Sequence, residues 1–210
     1  KENEKINYSV PTGNFGDIYA GYISKKMGLP INKLIIATNS NDILKRVVST
    51  GIYKPLKVKH TVSPSMDIQV ASNFERLIFE VCSCNSDKVK KLMENLSEKG
   101  QFKLEKNELE EINKNFCSES LSEEETKSII KDVYENQGML IDPHTAVAVG
   151  VVNKISLNGN TVILATAHPS KFSETVMSAT GVKPDLPESL KNILDKKEKF
   201  EKLPEDIKEV

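Results

Sequence analysis

The sequence contains no tryptophan, only three cysteines and three histidines, and just 6% aromatic residues among its 210. Cys82, Cys84 and Cys117 make neither an even disulfide set nor a pair of metal knuckles. The Cys82-Ser83-Cys84 spacing is too tight for the usual zinc chelate and no histidine lies near it, so buried or idle thiols in a reducing setting are expected. No apolar run approaches the roughly 18 residues that span a bilayer, and no secretory or lipid-anchor pattern is visible, so a cytoplasmic protein without a membrane partner is expected. Neither sign of charge prevails: 29 Lys and Arg stand against 30 Asp and Glu, a formal net of -1. That balance offers no basic face for nucleic acid, which is not expected as a partner. Also missing are a Walker loop, a third glycine for a dinucleotide fingerprint, a Gly-Xaa-Ser-Xaa-Gly elbow and any pair of histidines at chelate spacing, so no metal site is expected.

What is present is enough chain to bury a real core. Ile6, Tyr8 and Val10 alternate and then halt at Pro11-Thr12-Gly13-Asn14, the pattern of a strand entering a turn. Tyr19, Tyr22, Ile23 and Met27 recur at helical spacing and end in Lys25-Lys26, Gly28 and Pro30. Residues 34–38 read as a buried strand and 42–48 as the next helix. This alternation predicts an α/β fold with a partial open, mostly parallel sheet flanked by helices. A helix carrying Val70, Phe74, Leu77, Ile78 and Val81 follows Ser63-Pro64-Ser65-Met66-Asp67-Ile68. Residues 1–84 thus form a first α/β core region.

Residues 85–137 are rich in Lys, Glu, Asn and Ser and show amphipathic stripes, so this stretch reads as a charged helical insertion. Within it, Ser122 followed by Glu125 makes a capping box. Residues 138–210 return to the core. Asp142-Pro143 opens a helix of small apolar residues, residues 161–165 read as a buried strand, and a C-terminal helix turns Leu190, Ile193 and Leu194 inward.

The sharpest local feature is the loop Thr12-Gly13-Asn14-Phe15-Gly16-Asp17 between a strand and a helix. The first amides of a helix lack intrahelical acceptors, and glycines let the backbone approach an anion closely. The combination makes a phosphate cradle, to which the Thr12 hydroxyl would add a donor. Asp17 favours the helix dipole but repels a dianion, so it is expected to point elsewhere. Such a loop names an anion and not a reaction, and a glycine turn required only for geometry accounts for it as well. Among the histidines, His60 reads as surface, His144 as a local cap or hydrogen-bond partner, and His168, between Thr166 and Lys171, as the best placed for a site, with helix-end packing or backbone bonding an equal alternative.

The segments 9–17, 37–42, 61–68, 142–146 and 166–172, in this order, resemble the threonine synthase family, pyridoxal-phosphate enzymes of fold type II. The likeness covers residues 8–80 and 138–180. It implies the large-domain fold of those enzymes, pyridoxal 5'-phosphate as cofactor, and conversion of O-phospho-L-homoserine and water to L-threonine and phosphate. By that likeness Thr12, Gly13, Asn14, Phe15 and Gly16 surround the cofactor phosphate, and Thr166 faces the pyridine nitrogen with a neutral hydroxyl. Asn39, Ser40, Ser63, Ser65, Asp67, His168 and Lys171 become candidates for the substrate phosphate, with Lys171 equally readable as an exposed solubilising lysine. The family carries its imine-forming lysine ahead of the part matched here, and no lysine of this sequence sits in that motif. The chain is therefore expected to be the C-terminal portion of such an enzyme, with no catalytic residue of its own to name. Its partner would be the missing N-terminal segment, and alone it is expected to be inactive. The alternative is a noncatalytic anion-binding or protein-interaction module.

Overall fold

The computed structural model describes residues 5–193, 195–206 and 208. Its centre is a parallel sheet of four strands in the order β5-β2-β1-β6, formed by β1 (Ile6–Pro11), β2 (Ile31–Thr38), β5 (Phe116–Ser120) and β6 (Thr161–Ile163). Helix α1 (Gly16–Lys26) makes the crossover between β1 and β2, whose register pairs Tyr8 with Leu34 and Val10 with Ile36.

Parallel strands are buried on both faces, which is why β2 reads as a continuous apolar run. The strand period then divides that run between two cores. Leu34 and Ile36 face the larger cluster with Phe15, Ile18, Phe74 and Leu77, whereas Ile35 and Ala37 face Val147, Ala148 and Val151. Helices α1, α2 (Ile43–Thr50) and α3 (Phe74–Val81) supply the first cluster, and α7 (Pro143–Lys154) supplies the second.

Small residues in α7 bring it close to its neighbours. Ser9 Oγ donates to the Ala148 carbonyl at 2.9 Å, and a Cβ on Gly150 would meet Leu121 Cδ2 at 2.6 Å. The start of α7 follows from its sequence: Asp142 caps it, accepting from the amides of His144 and Thr145, and Pro143 occupies the first turn, where no intrahelical amide is required.

Residues 85–137 contain α4 (Ser86–Lys99), α5 (Lys106–Asn115) and α6 (Glu123–Gln137), with the expected Ser122 and Glu125 capping box. They also contain two strands that the reading as a wholly helical insertion lacks. β4 (Phe102–Lys103) pairs antiparallel with β3 (Ile52–Tyr53), and β5 forms an outer strand of the main sheet beside β2. Only Phe116 in β5 is deeply buried and apolar, at 1% exposure, so the strand carries no alternating pattern to read.

Three further expectations change. Val70 is exposed and precedes α3, which begins at Phe74 after a short 3-10 turn at Pro64–Met66 and an irregular stretch. β6 lies at the opposite edge of the sheet and is only partly covered, with Val162 exposed, instead of being a buried strand. The C-terminal helix is not formed among the described residues. Beyond α8 (Ser173–Thr180) there is one 3-10 turn at Glu188–Leu190, and Leu190 and Ile193 are exposed; Leu194 lies outside the described residues. A mostly polar segment with few apolar groups gains too little from burial to dock as a helix here. Among the described residues, no helix is long and apolar enough to cross a membrane.

Candidate functional site

The chain leaves β1 toward β2 and β5 on one side, while β6 pairs on the other, so β1 and β6 flank the point where the strand order reverses. In open α/β sheets the crevice beyond the carboxyl ends of strands at such a point is where ligands sit. A cavity of about 310 Å³ lies there, lined by Thr12, Gly13, Asn14 and Gly16 from the loop after β1 and by Thr166 and Lys171 from the segment after β6.

The loop is held in place by specific contacts. Phe15 has a left-handed backbone, φ 73°, which is costly for a bulky residue. Its ring is 1% exposed and packs edge-on to Phe74, with centroids 5.2 Å apart, and against Phe116 at 5.7 Å. The side chain therefore belongs to the core, and its burial fixes the turn that aims the following amides. Asn14 Oδ1 accepts from the Gly16 amide at 3.1 Å, and the Asn14 carbonyl accepts from the Asn73 amide at 3.0 Å. The amides of Gly13, Phe15 and Asp17 have no protein acceptor among the described residues. Unpaired amides at the start of an eleven-residue helix carry the positive end of its dipole.

Two local expectations need correction. Thr12 Oγ1 donates its proton to the Val10 carbonyl at 2.6 Å, so this hydroxyl offers lone pairs to the cavity and not the extra donor expected. Asp17 does not turn away: it is exposed and also lines the cavity.

The remaining candidates separate by position. Ser65 lines the cavity, close under Gly13. Asn39, Ser63 and Asp67 instead form a network of their own: Asn39 Nδ2 donates to Ser63 Oγ and Asp67 Oδ1, each at 2.9 Å, and to Thr61 Oγ1 at 2.8 Å. Thr61 completes it by donating to Asp67 through both its hydroxyl and its amide. These groups satisfy one another and anchor residues 61–67 to the end of β2; neither they nor Ser40 line the cavity. His168 is also outside it. Its Nδ1 accepts from the Ser170 amide at 3.2 Å, capping the 3-10 turn at Pro169–Phe172, and its ring is exposed.

The histidine that does line the cavity is His144, 4% exposed. Its position two residues after Asp142, at a helix start, reads as a local cap or a local hydrogen-bond partner; Asp142 is the cap, and His144 is its hydrogen-bond partner. Its Nδ1 lies 3.0 Å from Asp142 Oδ1, while Phe172 packs against the ring with centroids 4.7 Å apart. Only the fold reveals its place in the cavity lining, because β6 and the turn after it bring the cavity to the start of α7.

Comparison with known proteins decides the family. Residues 145–210 match the family model described as "Threonine synthase, C-terminal". The threonine synthase of Pseudomonas aeruginosa is 42% identical over 211 residues, a match covering 99% of this chain and 45% of that protein. The chain belongs with the threonine synthases. The crystal structure of PLP-bound threonine synthase from Brucella melitensis superposes with a TM-score of 0.92 at 44% identity, covering 95% of this chain and 43% of that one. The yeast threonine synthase structure gives 0.86 at 39% identity, covering 94% and 44%. The architecture is accordingly that of the large domain of fold type II pyridoxal-phosphate enzymes. The chain spans less than half the length of these threonine synthase relatives.

Proposed function

We propose that the cavity between the loops after β1 and β6 holds the phosphate of pyridoxal 5'-phosphate. In this reading the chain is the C-terminal part of an enzyme that converts O-phospho-L-homoserine and water to L-threonine and phosphate. The observation that carries it is the set of unpaired amides at Gly13, Phe15 and Asp17, opening on the same cavity as Thr166. The residues suit the group: Gly13 lines the cavity with bare backbone while seated against the Ser65 carbonyl, and the helix start supplies partial positive charge to an anion.

When bound, the cofactor supplies an electron sink that stabilises negative charge at successive substrate carbons. The chain's own groups do the rest of what can be assigned. The loop amides bind and orient the phosphate through backbone donors. Thr166, which lines the cavity, would offer the cofactor ring a neutral hydroxyl, which suits a pyridine nitrogen that is not fully protonated. Lys171 brings a point charge to the rim for a second, substrate-borne phosphate, while Asp17 opposes excess negative charge there. The lysine that anchors the cofactor, and much of the substrate pocket, would come from a preceding N-terminal segment.

The test is complementation. The chain is combined with the N-terminal segment of the Pseudomonas aeruginosa threonine synthase, and phosphate release from O-phospho-L-homoserine is measured. Turnover by the pair, absent from either part, supports the proposal. Folded association without turnover counts against it and favours a noncatalytic anion-binding or interaction module.

A further inference from the structure

His144, paired with Asp142 at the start of α7, is not used by the phosphate loop, yet it lines the same cavity. An ionised carboxylate has only acceptors, and Asp142 acts as one throughout. Its Oδ1 accepts from the His144 amide at 2.9 Å, and its Oδ2 accepts from the Thr145 hydroxyl. Burial pushes the Asp142 carboxyl up, but the bonds from His144 and Thr145 outweigh it and hold the group below the ordinary carboxylate range. The proton between the two residues therefore sits on His144 Nδ1. That leaves Nε2 on the far side of the ring, and it is the one buried side-chain polar atom without a hydrogen-bond partner among the described residues. A buried polar atom left unpaired is expensive unless a ligand completes it.

Building on the reading of the cavity as an anion site, we propose that His144 Nε2 is a ligand-binding group of this cavity and takes up a proton from solvent when a tetrahedral dianion enters. Neutral, with its proton on Nδ1, the ring presents a lone pair that repels an anion. Protonated at Nε2, it becomes a charged donor, and Asp142 behind it stabilises the imidazolium. No other bond is made or broken: one solvent proton joins Nε2 on binding and leaves on release. The charged side chains facing the cavity besides His144 are Asp17 from α1 and Lys171 from the turn after β6, with Asp142 behind the ring.

Sulfate is the suitable probe, because its oxygens hold no proton near neutral pH, so any proton taken up belongs to the protein. The 210-residue chain is titrated with sulfate by calorimetry in buffers of different ionisation enthalpy, while side-chain and backbone nitrogens are followed by NMR. The expected result at pH 8 is uptake of about one proton per bound anion, read from the dependence of the binding heat on the ionisation enthalpy of the buffer. Affinity should fall as pH rises, by up to about tenfold per unit. The His144 nitrogens should move from the neutral to the imidazolium pattern as sulfate is added. His144→Gln should bind with the uptake abolished and the pH slope flattened. Shifts at the loop amides with no proton uptake and an unchanged His144 would overturn this proposal and leave the anion cavity standing. Uptake that persists in His144→Gln would overturn it equally. An absence of shifts at both the loop and His144 would overturn it together with the cavity reading.

Discussion

Gly13 sits so close to Ser65 that a Cβ on it would lie 2.6 Å from the Ser65 carbonyl oxygen and 3.3 Å from Met66 Cα. The loop after β1 is thereby seated on the 3-10 turn at Pro64–Met66, and the network of Asn39, Thr61 and Asp67 holds the approach to that turn in place. Backbone meets backbone, so neither side can yield cheaply. Gly13→Ala is expected to cost about 1–3 kcal/mol by overpacking and to weaken anion binding more than tenfold. Urea unfolding and anion titration check it; wild-type values in both would contradict the seating described here.

Gly16 offers a milder contrast. An added Cβ there meets only Asn14 Oδ1 at 3.2 Å and Asn73 Nδ2 at 3.5 Å, both on side chains. Gly16→Val is expected to keep the secondary structure by circular dichroism while lowering anion affinity. A folded variant with unchanged affinity would contradict the placement of the loop.

Much of this was legible beforehand, for reasons visible in particular residues. Ile6, Tyr8 and Val10 alternate, Lys25-Lys26 and Gly28 mark a helix end, and Ser122 with Glu125 forms a capping box, so those elements follow from local chemistry. β5 was not legible, because a mostly polar outer strand shows no period. The sequence order also misleads about the histidines. His168 stands beside Lys171 in the chain but caps its own turn, whereas His144 reaches the cavity only through the packing of α7 under β1 and β6. Asn39, Ser63 and Asp67 look like free phosphate ligands until their mutual hydrogen bonds are seen.

Phe15 sets backbone strain against packing. Glycine would relieve a φ of 73° but would forfeit the ring contacts to Phe74 and Phe116. Cavity costs for a lost phenyl ring, about 3–5 kcal/mol, exceed the relief of about 1 kcal/mol, so Phe15→Gly should be destabilised by about 2–4 kcal/mol. Denaturant unfolding measures this, and a variant as stable as the wild type would show that the ring does not hold the turn.

Glu108, 1% exposed, gives the stability a pH dependence. Burial pushes its carboxyl up, but the Lys88 ammonium, the Glu105 amide and the Cys82 thiol more than offset this and leave it below its ordinary value. A carboxyl whose folded value is depressed contributes stability above its unfolded value and loses it as pH falls through the folded one. Stability should therefore decline on acidification below about pH 4.5, and less steeply in Glu108→Gln. At neutral pH that variant should lose about 1–3 kcal/mol, since the buried position gives up its charge-assisted bond from Lys88, which keeps Glu105 as a partner. Equal acid slopes for the two proteins would contradict this assignment.

The same contact silences a cysteine. Burial first, and then the hydrogen bond to Glu108, push the Cys82 thiol up to about 12, whereas Cys84 is exposed. Iodoacetamide at mildly alkaline pH should label Cys84 in the folded chain and Cys82 only after denaturation. Rapid labelling of Cys82 in the native state would contradict the packing of α3 against α5.

The most direct measurement is a backbone amide NMR titration of the chain with pyridoxal 5'-phosphate, its aldehyde reduced to prevent reaction with surface lysines. The account predicts saturable shifts concentrated at Gly13, Phe15, Gly16 and Asp17, with smaller ones at Thr166 and little change at Asn39 or Ser63. Saturable binding that leaves the Gly13 to Asp17 amides unmoved, or no binding at millimolar ligand by a folded chain, would contradict it.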